Sequence, residues 1–359
     1  MSAIRPHYRR CKTQVSIRQS SSPCASAFKR WLSRFSLLMF VLAAAVSSRA
    51  LAQNVSDLYS EAELQAIGSR YRPRLRATWE DDFLARLTRD ERERAGTVTL
   101  NLPLIGDNGH PLDFYSVPER REVSLPVSSV KFVDDLSIAF AYYGKYGCNI
   151  GLVSDYAAAL RFQPQHAKGS PLDVLGVPRT AINDQDVDDV AQKILKSILF
   201  FLTVHEYAHV MYHHKPYGAI TAQQAQQQEI EADSFALSIM QRIAVPPVSL
   251  TYLFLVSSRL EDTPGDYESA SAYEQYLRER ATHPVSSLRL FKVAEIIQSN
   301  ARAFARLQHD TVAWENRLQE MASQLQTIAS GLDDREMRKL LRQQAEKLDV
   351  ASLRLACKH

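Results

Sequence analysis

The sequence predicts an α+β fold in which helices carrying the chemistry pack against a small sheet. Three observations predict it. An apolar-faced helical pattern runs from 184 to about 214, and a second amphipathic pattern over 229–237 follows after one loop. Between 97 and 132 the texture changes to short strands and turns. Helical patterns before and after this core read as N-terminal and C-terminal extensions. The expected division is 1–52 signal peptide, 53–120 helical and strand region, 121–298 central domain and 299–359 helical extension.

Residues 54–95 read as helical, with Leu58, Leu64, Ile67, Trp79, Phe83 and Leu87 among charged residues. Asp107-Asn108-Gly109 marks a turn, and 123–132 reads as a strand. Pro126 would remove a ladder donor there, so that strand is expected at a sheet edge. Residues 133–143 look helical, and 163–179, with three prolines and two glycines, reads as a loop bordering a cleft. On the helix from 184, Val187, Val190, Ile194, Ile198 and Phe201 lie on or near the face that bears His205 and His209. Its apolar run, 194–204, is short for a membrane span of about 20 residues and suits a buried core helix. The tail carries Phe304, Leu307, Thr311, Trp314, Leu318, Met321, Leu325, Ile328 and Leu332, alternating steps of three and four. That stripe suits a helix laid against the core, or else a helical partner or self-association through 304–332.

The first 52 residues hold nine Lys or Arg and no Asp or Glu, and they end in an apolar run over 35–46 and Ala50-Leu51-Ala52. A basic region, a short apolar run and an A-x-A site make a signal peptide, so export to a bacterial envelope compartment or secretion is expected. An uncleaved segment would instead serve as a membrane anchor. Subtracting those nine charges from the formal +3 leaves −6 on the remaining 307 residues. The basicity belongs to the targeting segment, and nothing points to nucleic acid. Of four cysteines, Cys148 and Cys357 lie beyond it. They are compatible with one disulfide or with two separate thiols, and neither has metal-ligand spacing.

The chemistry is concentrated in His205-Glu206-Tyr207-Ala208-His209. Residues four apart on a helix share a face, so both imidazoles can turn toward one ion. Glu206 stands roughly 100° around the helix, beside the ion and not on it, where a general base should be. A third ligand is expected from Glu229, with Asp233 one turn on accepting a ring N–H of one histidine. Glu231 is the rival ligand, but it lies about 200° from Glu229 and cannot face the same point. His213 and His214 read as helix-end residues favoured by the dipole. Pro284 suits the first turn of a helix, which puts His283 at a helix start where it can project into a cleft.

The H-E-x-x-H segment, Glu229-Ile230-Glu231-Ala232-Asp233, and Thr282-His283-Pro284 with Arg289 five residues on together resemble the gluzincin metallopeptidases. The resemblance is closest to the group of CAAX prenyl endopeptidases, HtpX-like membrane peptidases and periplasmic quality-control peptidases. It covers about the central third of the chain. It implies a zincin-like core, one catalytic Zn2+ on His205, His209 and Glu229, and Glu206 as general base. It also implies His283 beside the tetrahedral intermediate, Arg289 supporting the site, and a protein or peptide substrate that pairs with an edge strand. A lesser resemblance, Glu229-x-x-Ala232-x-x-Phe235-Ala236 with Pro246 downstream, is to ImmA-type regulatory peptidases. The rivals are therefore such a regulatory peptidase and a non-catalytic chaperone or adaptor on the same fold.

Overall fold

The computed structural model describes residues 58–279, 281 and 283–354. Segment 1–52, expected as a signal peptide, and Cys357 lie outside these residues; Cys148 is disulfide-bonded. All described residues belong to one compact unit. Among them no helix is long and apolar enough to cross a membrane. The fold is mostly helical with one three-stranded sheet, compatible with α+β.

Helix α1, Glu61–Ala77, starts where the Ser60 hydroxyl accepts from Glu63 N–H, and it runs on into a π-turn, Thr78–Phe83, that buries Trp79 and Phe83. Thr88 and Glu91 form a capping box for α2, Arg89–Ala95. The strands are β1 (Thr99–Asn101), β2 (Tyr115–Val117) and β3 (Glu122–Ser124). They lie in the order β1–β3–β2, with β1 parallel and β2 antiparallel to β3.

Here the expected strand over 123–132 is corrected. β3 stops at Ser124, and Pro126 is the extended residue that starts α3, Val127–Tyr146. Val127, Val130, Val133 and Leu136 recur at helical steps and are all buried. A proline lacking its N–H costs nothing before a helix whose first donors have no intrahelical partner. β3 is also the central strand, so the edges belong to β1 and β2.

Helix α4, Gly151–Phe162, precedes the expected loop, which contains a further short helix, α5, Pro171–Leu175. Ser170 caps it, Pro171 opens it and Gly176 closes it at φ 67°, the ordinary start and stop signals of a helix. The long helix α6, Gln185–Met211, begins at Asp184, whose carboxylate accepts from the N–H groups of Asp186 and Val187. Val187, Ile194, Ile198 and Phe201 are buried, whereas Val190 is 45% exposed. Helices α7 (Ala222–Arg242), α8 (Leu250–Leu260), α9 (Ala270–Glu279) and α10 (Ser287–Ala305) follow. The chain then forms α11 (Thr311–Leu332), α12 (Arg335–Lys347) and α13 (Val350–Leu353).

α6 packs between α3 and α7, and α10 packs on α7 and along α11. One hydrophobic core includes residues from Leu58 to Leu353. The heptad stripe is divided between two antiparallel neighbours. Phe304 is buried near the end of α10, Leu307 is 72% exposed in the connection, and Leu318, Met321, Leu325 and Leu332 are buried on α11.

Candidate metal centre and active site

The last two turns of α6 bring His205, Glu206 and His209 into the core, each at most 5% exposed. α7 supplies Glu229 and Asp233, which are 0% and 1% exposed. His283 comes from the segment before α10, and Arg289 from the first turn of that helix. Side-chain ligand atoms of His205, His209, Glu229 and His283 all lie within 4.8 Å of one another.

The two imidazoles meet Nε2 to Nε2 at 3.1 Å. Glu229 Oε1 is 3.2 Å from His209 Nε2, and Oε2 is 3.5 Å from His205 Nε2. Ring nitrogens and a carboxylate thus converge on one small space. Two bare imidazole lone pairs at that distance repel unless a proton or a cation lies between them. Burial alone would lower the His205 pKa, but Glu229 and Asp233 outweigh it and raise it to about 10. Burial holds His209 below its ordinary value. The field that retains a proton on His205 is the field that attracts a metal cation, so the cluster could hold a metal ion.

Each histidine has its own partner on the far nitrogen. Asp233 Oδ1 is 2.8 Å from His205 Nδ1, an ion-pair distance at an angle short of a formed hydrogen bond. His214 Nδ1 lies 2.8 Å from His209 Nδ1, and His214 Nε2 lies 3.2 Å from Glu231 Oε2. Burial, reinforced by His209, pushes the His214 pKa down to about 4, so its ring is neutral and has a single N–H. That N–H goes to the carboxylate, which leaves His214 Nδ1 to accept from His209 Nδ1–H. His209 Nε2 is then bare and faces the shared space.

His214 corrects the sequence reading, which left it as a helix-end residue. His213 takes a left-handed φ of 55°. His213 N–H donates to Val210 O and His214 N–H to His209 O, a Schellman turn that folds the chain back over α6. Glu231, the rival ligand in sequence, instead faces His214.

Arg289 ties the carboxylates together. Its Nη1 is 2.8 Å from Glu229 Oε2, while Nε and Nη2 donate to Asp233 at 2.6 and 2.9 Å. Burial would raise the Glu229 carboxyl, but Arg289, His283 and His205 hold it well below the usual carboxylate range. Asp233 is lowered against burial by Arg289 and His205. The Tyr217 hydroxyl donates to Glu229 Oε1. Tyr217 lies in the loop between α6 and α7, and nothing in Lys215-Pro216-Tyr217-Gly218 signals a side chain aimed at the site.

His283 Nε2 is 3.0 Å from Phe114 O and 3.2 Å from Glu206 Oε1, and Nδ1 is 3.4 Å from Glu229 Oε2. Every neighbour is an acceptor, so both ring nitrogens are placed to carry protons. Burial opposes that charge, but Glu206 and Glu229 outweigh it and raise its pKa. His283 differs from the two α6 histidines in its contacts, since its Nε2 faces the Phe114 carbonyl and the Glu206 carboxylate. Glu206 is fully buried, and neither carboxylate oxygen has a formed hydrogen bond. A buried carboxylate left so calls for a polar visitor such as water or substrate.

A sequence-family model described as Peptidase U49 matches residues 163–246. The matched stretch runs from before α5 to beyond α7 and contains His205, Glu206, His209, Glu229 and Asp233, but neither His283 nor Arg289. It supports a peptidase family and suggests peptidase activity. No curated protein and no solved structure matches the chain.

Proposed function

We propose that the chain is a zinc-dependent peptidase of gluzincin type, resembling the CAAX prenyl endopeptidase and HtpX-like group, with His205, His209 and Glu229 as metal ligands. The observation that carries this is the convergence of two imidazole Nε2 atoms and one carboxylate beside the unsatisfied Glu206 carboxylate. Two nitrogens and one oxygen suit a borderline ion such as Zn2+. Such an ion supplies Lewis acidity, lowering the pKa of water toward about 7 and polarising a carbonyl.

The protein's own residues do the rest. Glu206 takes the proton of the attacking water on its carboxylate and returns it to the leaving amine. His283 donates to the carbonyl oxygen as negative charge develops there. Arg289 and Asp233 fix Glu229 and His205, while Glu231 and His214 fix His209. β2 is a sheet edge, follows Phe114 directly and packs on α6, so an extended peptide would add there. The natural substrate on this reading is an exported or envelope protein, reached after cleavage near Gln53.

Metal analysis and peptide-library cleavage by wild type and Glu206→Gln test the assignment together. One equivalent of zinc is expected in both proteins, with turnover at least about 10²-fold lower in the variant. A metal-free wild type, or a fully active Glu206→Gln, overturns it.

A further inference from the structure

From Ile194 to Val204, α6 is apolar on nearly every side, and such a helix needs cover all round. On one side the neighbouring elements leave a cavity of about 1450 Å³, lined by no residue of the metal centre. Its apolar lining includes Ile67 and Leu75 of α1, Ile138 of α3, and Leu195, Leu199 and Phe200 of α6. That volume is large enough to admit a long flexible chain. The helical walls bond their backbone groups internally, so they offer no ladder to an extended peptide.

The lining is also charged. Arg70 and Arg74 sit four apart on α1, and Lys193 and Lys196 sit three apart on α6; all four line the cavity and are exposed. None of them makes an ion pair among the described residues. Of the acidic lining residues, Glu63 pairs with Arg179 at 3.4 Å and Asp134 accepts from Tyr71. Asp82, Asp134 and Asp188 are outnumbered by the basic lining residues, so positive charge is in excess. Ser197, only 6% exposed, also lines the cavity, and its Oγ has no hydrogen-bond partner.

We propose that this cavity binds a long-chain fatty acid, with the acyl chain along the apolar walls and the carboxylate among Arg70, Arg74, Lys193 and Lys196. The Ser197 hydroxyl supplies a buried donor for which the protein itself provides no acceptor. The cationic residues select the anionic head, while the apolar walls select the length of the tail.

Calorimetric titration of the full chain with dodecanoate and dodecyltrimethylammonium tests this, since the two probes share a chain length and differ in charge. Saturable 1:1 dodecanoate binding is expected, at least tenfold tighter than that of the cation. It should weaken at least tenfold in Arg74→Glu/Lys196→Glu, whose folding is checked by circular dichroism. Equal affinity for both probes, or indifference to the charge reversal, overturns the proposal. So does binding to phosphatidylglycerol vesicles without dodecanoate binding, or preference for a peptide spanning 35–46. The readout is independent of peptidase activity.

Discussion

His214 and His209 meet through their Nδ1 atoms at 2.8 Å, with Glu231 on the far side of His214. Glu231 therefore determines, through a neutral imidazole, which nitrogen of His209 is free. Glu231→Gln should keep the fold and bind zinc about 10–100-fold more weakly. His214→Ala should do the same. Competition with a chromogenic chelator measures both; unchanged affinity would reduce the contact to packing. Complete loss of metal in Glu231→Gln would make Glu231 a ligand.

His283 faces acceptors from both ring nitrogens, which suits an interaction made mainly in the transition state. His283→Ala should retain zinc and lose about 10²–10³ in kcat, with little change in KM. Steady-state kinetics beside metal analysis decides it. Near-normal kcat removes the donor role, and loss of zinc assigns His283 to the metal.

Glu91 accepts from Arg242 at 2.8 and 2.9 Å and from Thr88 N–H at 2.7 Å, joining α2 to α7. Chiefly through Arg242, its pKa falls from 4.5 to about 2. A carboxyl depressed in the folded state stabilises above its unfolded pKa, and that stability is lost as pH falls through the folded value. With Arg242 36% exposed, screening reduces the contribution to about 1 kcal/mol. Urea denaturation should show Glu91→Gln weaker by that amount at pH 7. The gap should close between about pH 4.5 and 2; a gap independent of pH would contradict the charge argument.

His213 holds a left-handed φ of 55° at the C-terminal turn of α6, a conformation that costs a side chain about 1 kcal/mol and glycine nothing. His213→Gly should leave the protein equally stable or up to about 1 kcal/mol more stable, with zinc affinity unchanged. Destabilisation in thermal melts would mean that the His213 ring makes a contact worth more than the strain.

The candidate metal-binding face was legible because it is local. His205 and His209 obey helical spacing, and Glu229 and Asp233 repeat it one helix later. What was not legible depends on how the chain leaves α6. A left-handed residue without glycine gives no signal, so His214 looked like a helix end and Glu231 like a competing ligand. Tyr217 was hidden for the same reason, since a turn's composition does not reveal where its side chain points. The strand over 123–132 failed differently. Val127-Ser128-Ser129-Val130 fits both periods, and Pro126 was read as a ladder defect when it is a helix start. The heptad stripe was real as periodicity, but it crosses the α10–α11 connection that Leu307 marks.

The contacts around His283 join positions far apart in the chain: 169 residues separate it from Phe114, and 54 separate it from Glu229. An unfolded chain holds no such arrangement, so a cation captured there binds the native state alone. Uptake then adds RT ln(1 + [M]/Kd) to the free energy of unfolding, about 2.7 kcal/mol at a hundredfold excess over Kd. The centre would thus act as a clasp between α6 and α7, and a chelator would lower the melting temperature even of a variant with no turnover.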